Sequence, residues 1–530
     1  MATVQAPPEP LVHNIAPFKN EPSVDFSKPE NASAMRAAIE KVRKELGRDY
    51  PLVIGGKKIT TDGKIKSINP AKPSELVGSF SKAGQEHVEP AMNAALEAFK
   101  SWSRKSLEER AEFVLRVAQT IRERKFEFSA WMVFEVGKNW AEADADTAET
   151  IDFCELYAHE ALRLAKAEPP VQLPGERDML RYIPLGVGIV IPPWNFPGAI
   201  MAGMTIASVV CGNTVILKPS SDSPAIARFF FSILEDCGLP AGVVNFCPGG
   251  GGTFGDALVA HPKTRYIAFT GSREVGLHIN KSAATQAPGQ IWIKRTILEM
   301  GGKDAMVIND DADIDAAVEA TAAAAFGFQG QKCSACSRLI LHEKIYDQFI
   351  DKLKARVEKI KIGEPTENIA MGPVVNEGSM KSILGYIEQG KKDGRLITGG
   401  KRVDGKDGYF IEPTIFADIK PGSKLEQEEI FGPVLAIIKA RDYDHALEIA
   451  NDTEFGLTGA VFTRDEKKQQ RAIEEFHVGN LYINRKCTGA IVGAHPFGGF
   501  NMSGTDSKAG GPDYLYLFTQ AKSIGKKLSQ

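Results

Sequence analysis

From Val187 onward, short apolar runs alternate with segments of helical length. That alternation restricts the chain to a parallel sheet with helices on both faces, because parallel neighbours need a crossover between them. GVGIVI, TVILK, VVNFC and RYIAFT read as strands. Ala199–Val210, Ser223–Cys237 and Ala257–His261 read as the helices between them. After Glu299-Met300-Gly301-Gly302 the pattern restarts with AMVI, a helix over Ile314–Phe326, the strand RLILH and a helix over Tyr346–Lys361. A second α/β domain is expected from about Leu298 to Gly498.

The first part of the chain reads differently. Residues 1–35 are rich in Pro, Asn and Ser and suggest an extended arm. A helix is expected over Met35–Leu46, then a β segment, PLVIGGKKI, turning on Gly55-Gly56. Apolar residues recurring at three and four predict helices over His87–Trp102, Leu107–Val136 and Ala141–Lys166. The tail, Asp513–Lys526, reads as mixed and strand-like and could add to a sheet edge.

Composition excludes several classes. Sixty-four basic and 67 acidic residues leave a net charge of −3, with no basic field for nucleic acid. Seven cysteines, an odd and sparse set, fit reduced thiols in a cytoplasm rather than a disulfide framework. MATVQAPPEPLVHN has no secretory pattern, and no arginine precedes Arg36. The uncharged stretch between Arg181 and Lys218 is interrupted by Pro192, Pro193, Asn195 and Pro197, so it reads as strand, turn and buried helix rather than a membrane span.

Four groups of residues carry chemistry. Gly250–Gly255 matches G-x-G-x-x-G after a strand, a weak signal that a flexible loop would also give. FTGSREVG, Phe269–Gly276, also follows a strand and opens a helix, where backbone N–H groups suit a phosphate. Lys218 ends a strand and could meet a ribose hydroxyl or a phosphate. The turn Gly330-Gln-Lys-Cys333-Ser-Ala-Cys336 offers a candidate nucleophile, with Lys332 adjacent to favour a thiolate. C-x-x-C also admits a metal or dithiol reading, but no second such pair exists, so no metal is expected. Glu299 lies in an apolar run that would raise its pKa toward that of a neutral-pH base, or simply ends an element. Asn195, between prolines, could donate to an oxyanion or be a turn residue.

Together PPWNFP, LKPSS, FTGSREVG, LEMGGKD, GQKCSACSR, EEIFGP and HPFGGFNMSG resemble the aldehyde dehydrogenase superfamily, in the family's order, from about residue 50 to the C-terminus. The resemblance implies an α/β fold with a Rossmann-like cofactor domain (51–166 and 187–297), a catalytic α/β domain (298–507), a β oligomerisation flap (167–186 and 508–530) and an N-terminal arm (1–50). It implies Cys333 as nucleophile, Glu299 as water-activating base, and Asn195 with the Cys333 N–H as oxyanion hole. It implies that NAD meets Ile191, Pro193 and Trp194 near the turn, and Lys218, Ser220 and Ser221 at the adenosine ribose. Gly251, Gly255, Phe269, Gly271, Ser272 and Val275 are implied around the pyrophosphate and adenosine, with Met300, Gly301, Glu429 and Phe431 toward the nicotinamide end. Many NAD-specific relatives have Glu where this chain has Ser221, so NADP is expected to be tolerated beside NAD.

Within the superfamily, WIKRTILEMGGKD, GQKCSACSR, CTGAIVG and SGTDSKAGGPDY resemble the L-glutamate γ-semialdehyde (1-pyrroline-5-carboxylate) dehydrogenases of monofunctional bacterial type. That likeness implies a substrate carboxylate anchored by backbone N–H groups at Gly489 and Ala490 with the Ser334 hydroxyl. It implies Phe196 and Phe497 bracketing the aliphatic chain, Lys332 beside the substrate, a homodimer or higher homo-oligomer, and proline dehydrogenase as metabolic neighbour. The competing readings are another aldehyde, such as succinate semialdehyde, a CoA-acylating enzyme, and a silent structural protein.

Overall fold

The computed structural model describes residues 15–528. Two seven-stranded sheets organise it. In the first, Arg295–Glu299, Thr264–Thr270, Val187–Ile191, Thr214–Leu217 and Val244–Phe246 run parallel in that order. A hairpin, Leu52–Ile54 with Lys57–Ile59, closes the edge antiparallel. The inner strands Val187–Ile191, Thr214–Leu217 and Val244–Phe246 are buried throughout and largely apolar, as strands covered on both faces must be. The stretch without charge resolves into the strand Val187–Ile191, a turn, the helix Ala199–Val210 and the strand Thr214–Leu217. Among the described residues no helix is long and apolar enough to cross a membrane.

The second sheet runs in the order Arg395–Thr398, Thr414–Ala417, Val434–Ala440, Cys336–His342, Asp304–Ile308, Thr458–Phe462 and Asn480–Ile483. All neighbours are parallel except the first pair. The α/β architecture with parallel sheets is thus as the alternation requires.

Local expectations need three corrections. The stretch read as one helix over Leu107–Val136 is two, Leu107–Glu123 and Lys125–Val136, broken at Arg124. A single straight helix of that length would run about 45 Å. The break instead turns the second half into the core, where Glu127–Val136 are all buried. Ser106 starts the first half with a reciprocal cap, its Oγ accepting from Glu109 N at 3.1 Å while Glu109 accepts from Ser106 N at 2.8 Å. The first helix is Pro29–Arg43 rather than Met35–Leu46; Pro29 sits in its first turn, where the missing N–H costs nothing. A three-stranded sheet of Arg48–Tyr50, Lys72–Ser81 and Lys64–Asn69 was not legible, because its long middle strand mixes polar and apolar residues without clean alternation. Of the arm read over residues 1–35, positions 1–14 lie outside the described residues.

The strands Glu176–Pro184 and Thr519–Lys527 pair antiparallel over nine positions as a separate, largely exposed ribbon.

One buried ion pair ties the second sheet to its helices. The Arg338 guanidinium donates to Glu426 Oε1 at 2.8 Å and to the carbonyls of Lys303, Ile449 and Ala450. Both side chains are at most 2% exposed. Arg338→Ala strands the Glu426 carboxylate in the core, so a loss of about 3–5 kcal/mol is expected. Urea unfolding monitored by far-UV circular dichroism checks it, and an unchanged midpoint would contradict the assignment.

Candidate active site

One cleft draws its lining from segments of both sheets. Val187–Ile191, Thr214–Leu217 and Thr264–Thr270 deliver Ile191, Lys218 and the Gly271-Ser272 turn at their C-terminal ends, the usual ligand edge of a parallel sheet. Opposite them stand the segments that enter the second sheet: Cys333 before Cys336–His342, and Glu429 and Phe431 before Val434–Ala440. Between them lies a cleft of about 510 Å³, within the range of small-molecule sites.

Most of the residues expected to hold a nucleotide converge on this cleft. Ile191, Pro193, Trp194, Lys218, Ser220 and Ser221 line one part of it; Phe269, Gly271, Ser272, Val275, Met300, Gly301, Glu429 and Phe431 line the rest. Asn195 and Cys333 share it. Burial pushes Lys218 down to about 8, as expected of an ammonium removed from water. Ser272 caps the helix Arg273–Ala284 and leaves its N-terminus facing the cleft.

Gly251 and Gly255 fall outside the residues that line the cleft, in one wide helical turn, Gly251–Gly255. Gly251 is exposed, with open space where a Cβ would stand. A methyl group on Gly255 would meet Lys218 Cε at 3.2 Å, so this glycine makes room for the lysine.

The nucleophile turn is strained and braced. Phe328 and Gln329 have φ of 48° and 58°, left-handed values that non-glycine residues seldom adopt. Two buried amides hold the turn: Gln329 Nε2 donates to Pro373 O at 2.6 Å, and Gln331 Oε1 accepts from Val375 N at 2.9 Å. Asn195 Nδ2 donates to Gln331 O at 3.1 Å, which fixes the amide beside the Cys333 segment.

Lys332 does not lower the Cys333 pKa as its adjacency suggested. It is ion-paired with Glu142 at 2.7 Å. Burial, followed by the carboxylates of Asp304, Glu429 and Glu299, pushes the Cys333 thiol up instead. The thiol therefore rests neutral and requires a base.

Glu299 ends the strand Arg295–Glu299, and its charge reaches the Cys333 thiol. Its Oε1 accepts from Ser507 Oγ at 2.7 Å and from Ser507 N at 3.3 Å, and its Oε2 from Gly499 N at 3.2 Å. Burial raises its pKa to about 7, against the pull of these donors and of Lys508. Glu429 Oε1 accepts from Gly302 N at 3.1 Å, and burial takes it to about 7 as well. A side chain at Gly301 would collide with the Glu429 carboxylate, which explains a glycine there.

The residues expected to meet the substrate do not line the main cleft. Ser334 is buried, and its carbonyl accepts from Cys487 Sγ at 3.4 Å, which joins the nucleophile turn to the loop 485–493. In that loop Arg485 Nη2 donates to Gly489 O at 2.8 Å, and Ala490 follows. The Phe196 ring carries Lys138 Nζ at 4.1 Å and Lys332 Nζ at 6.0 Å. Phe497 is fixed through its backbone to Ala509.

Sequence reasoning missed Pro192, Asp222 and Thr270 in the cleft and Ser507 on Glu299. Pro192, Asp222 and Thr270 adjoin residues that were singled out, and Ser507 lies inside the motif SGTDSKAGGPDY, so proximity within a motif was the available signal. Cys336 and Cys487 are buried in the core of the second sheet. Among the described residues no group of three His, Cys, Asp or Glu could hold a metal ion.

Comparison with known proteins places this geometry. The family model described as the aldehyde dehydrogenase family matches residues 58–524. A 1-pyrroline-5-carboxylate dehydrogenase of Geobacillus thermodenitrificans (strain NG80-2) is 56% identical over 513 residues, 97% of this chain and 99% of that protein. The crystal structure of a Thermus 1-pyrroline-5-carboxylate dehydrogenase with bound NAD superposes with a TM-score of 0.95 at 49% identity, over 97% of this chain and 100% of that one. Proline utilization A from Bdellovibrio bacteriovorus gives 0.95 at 44% identity, over 97% of this chain and 54% of its own length.

Proposed function

The chain belongs to the aldehyde dehydrogenase family, and from that membership we propose that it oxidises L-glutamate γ-semialdehyde, the opened form of 1-pyrroline-5-carboxylate, to L-glutamate with NAD. The observation that carries the reading is the meeting of Cys333 and Asn195 in a nucleotide-sized cleft, with Ser334 tied to the 485–493 loop directly behind.

Glu299, or water activated by it, removes the Cys333 proton, and the sulfur attacks the aldehyde carbon. The thiohemiacetal oxyanion is held by the Asn195 amide and the Cys333 N–H. NAD, when bound, accepts the hydride. Once Glu299 has given its first proton to solvent, it takes a proton from the water that attacks the thioester and passes it to the departing sulfur, leaving the free thiol and a carboxylic acid that ionises. The α-carboxylate of the substrate meets the backbone N–H groups of Gly489 and Ala490, a donor set suited to an anion.

The cleft suits NAD. Lys218, Ser220 and Ser221 line the cleft and would hold the adenosine ribose, the capped helix at Ser272 would hold the pyrophosphate, and Glu429 would hold the nicotinamide ribose. Absence of a carboxylate at Ser221 leaves NADP tolerated. The nucleotide unit then comprises 51–166 and 187–297 and the catalytic unit 298–507. The ribbon of Glu176–Pro184 and Thr519–Lys527 serves a homodimer or larger assembly. The enzyme works in the cytoplasm on pyrroline supplied by proline dehydrogenase.

Initial rates of NADH formation with equilibrated pyrroline-5-carboxylate, succinate semialdehyde and propionaldehyde test the proposal. A clear preference for the first is expected. Preference for either of the others sinks the substrate assignment while leaving the chemistry intact.

A further inference from the structure

The arm that precedes the first helix reaches the loop proposed to anchor the substrate carboxylate. Asn20 Nδ2 donates to Val492 O at 2.9 Å and to Asp152 Oδ2 at 2.8 Å, contacts that span 472 and 132 residues. Glu21 N donates to Asp152 Oδ1 at 2.6 Å and Val24 N to Asp144 Oδ2 at 2.7 Å. The Glu21 side chain pairs with Arg122 at 2.7 Å and Lys125 at 3.2 Å. His159 Nε2 bonds Ala16 O at 2.9 Å. The arm is therefore fastened to the helix Trp140–Ala165 and to Arg122 and Lys125, and the Asn20 amide that meets Asp152 also makes a second contact.

That group grips the far end of the anchor loop. Gly489 and Gly493 have φ of +79° and +81°, left-handed values open to glycine, so the segment turns at both ends. Arg485 fixes the near end through Gly489 O. At the far end, Gly493 N donates to Gly510 O at 2.8 Å, and Asn20 holds Val492 O. The Phe18 ring covers Gly493 so closely that an added methyl group would meet it at 3.0 Å. Of these supports, Asn20 and Phe18 come from the arm, remote in sequence from the site.

We propose that the N-terminal arm is a positioning element for the substrate-carboxylate loop, with Asn20 as its latch and Phe18 as its cover. The inference rests on the proposed role of Gly489 and Ala490. Asn20 touches neither cofactor nor reacting atoms; it acts through the carbonyl of Val492, two residues beyond the anchoring amides. Without it the loop samples more arrangements, and the donors are less often aligned on a carboxylate.

The test compares wild type with Asn20→Ala and Phe18→Ala in the full chain. Losing one hydrogen bond of ordinary strength is expected to raise KM for pyrroline-5-carboxylate about fivefold. KM for NAD, and kcat/KM for propionaldehyde, which has no carboxylate to anchor, should stay within about twofold. Hydrogen exchange of the peptide spanning 489–493 should quicken in both variants, while exchange in the nucleophile turn should not change. Equal losses on both aldehydes, or unchanged exchange at 489–493, would overturn the proposal. If wild type shows no preference for pyrroline-5-carboxylate, the substrate reading fails on its own, and the exchange measurement still decides whether the arm holds the loop.

Discussion

Cys333→Ser is expected to abolish NADH formation with every aldehyde, a loss on the order of 10⁴-fold or more. Serine preserves size but replaces the thiol by a much weaker acid and poorer nucleophile, too weak an acid for the Glu299 carboxylate that takes the thiol proton. Glu299 is bonded to Ser507 and Gly499, and Asn195 contacts the Gln331 carbonyl. Because Cys333 lines the cleft without a hydrogen bond to the expected nucleotide contacts, NAD affinity should survive. Fluorescence titration with NAD beside the rate assay separates the two effects. Retained turnover in the serine variant would remove Cys333 from the mechanism; lost NAD binding would show that the substitution disturbed the cleft as well.

Glu299→Gln is expected to separate the two halves of the reaction. Acyl-enzyme formation should continue, giving a burst of up to one NADH per active site, while steady-state turnover falls about 10²–10⁴-fold as hydrolysis loses its base. If Glu299 also removes the thiol proton, the burst itself slows. The wild-type pH profile carries the complementary signature. Burial raises Glu299 to about 7, so the carboxylate is protonated and inactive as a base below that value. Turnover should rise with pH through about 7 and lose that limb in the glutamine variant. The groups facing Glu299 are Ser507, Gly499, Lys508, Cys333 and Tyr514. Its donors favour the anion, so Ser507→Ala should move the acid limb upward. A limb unaffected by Glu299→Gln would assign it to another group, with Glu429, also raised to about 7, the first to examine.

Sequence alone determined that the chain builds parallel sheets covered by helices, because strand and helix periodicities are local; it did not show the three-stranded sheet around Lys72–Ser81. The runs around Val187, Thr214 and Thr264 are too apolar and too short to be anything but covered strands. It also supplied the positions that meet in the cleft, since each ends or precedes such a strand. It did not show the break at Arg124, because periodicity persists on both sides while the face that must be buried changes. It placed Gly251 and Gly255 at the nucleotide; the fold sets Gly255 against Lys218 and leaves Gly251 exposed, with open space around it. It read Lys332 as the activator of its neighbour, although Glu142, 190 residues away, claims that charge. Such outcomes depend on which distant groups the fold brings within a few ångströms. Charge pairing, burial and the grip of Asn20 on Val492 are properties of that juxtaposition, and no spacing along the chain encodes them.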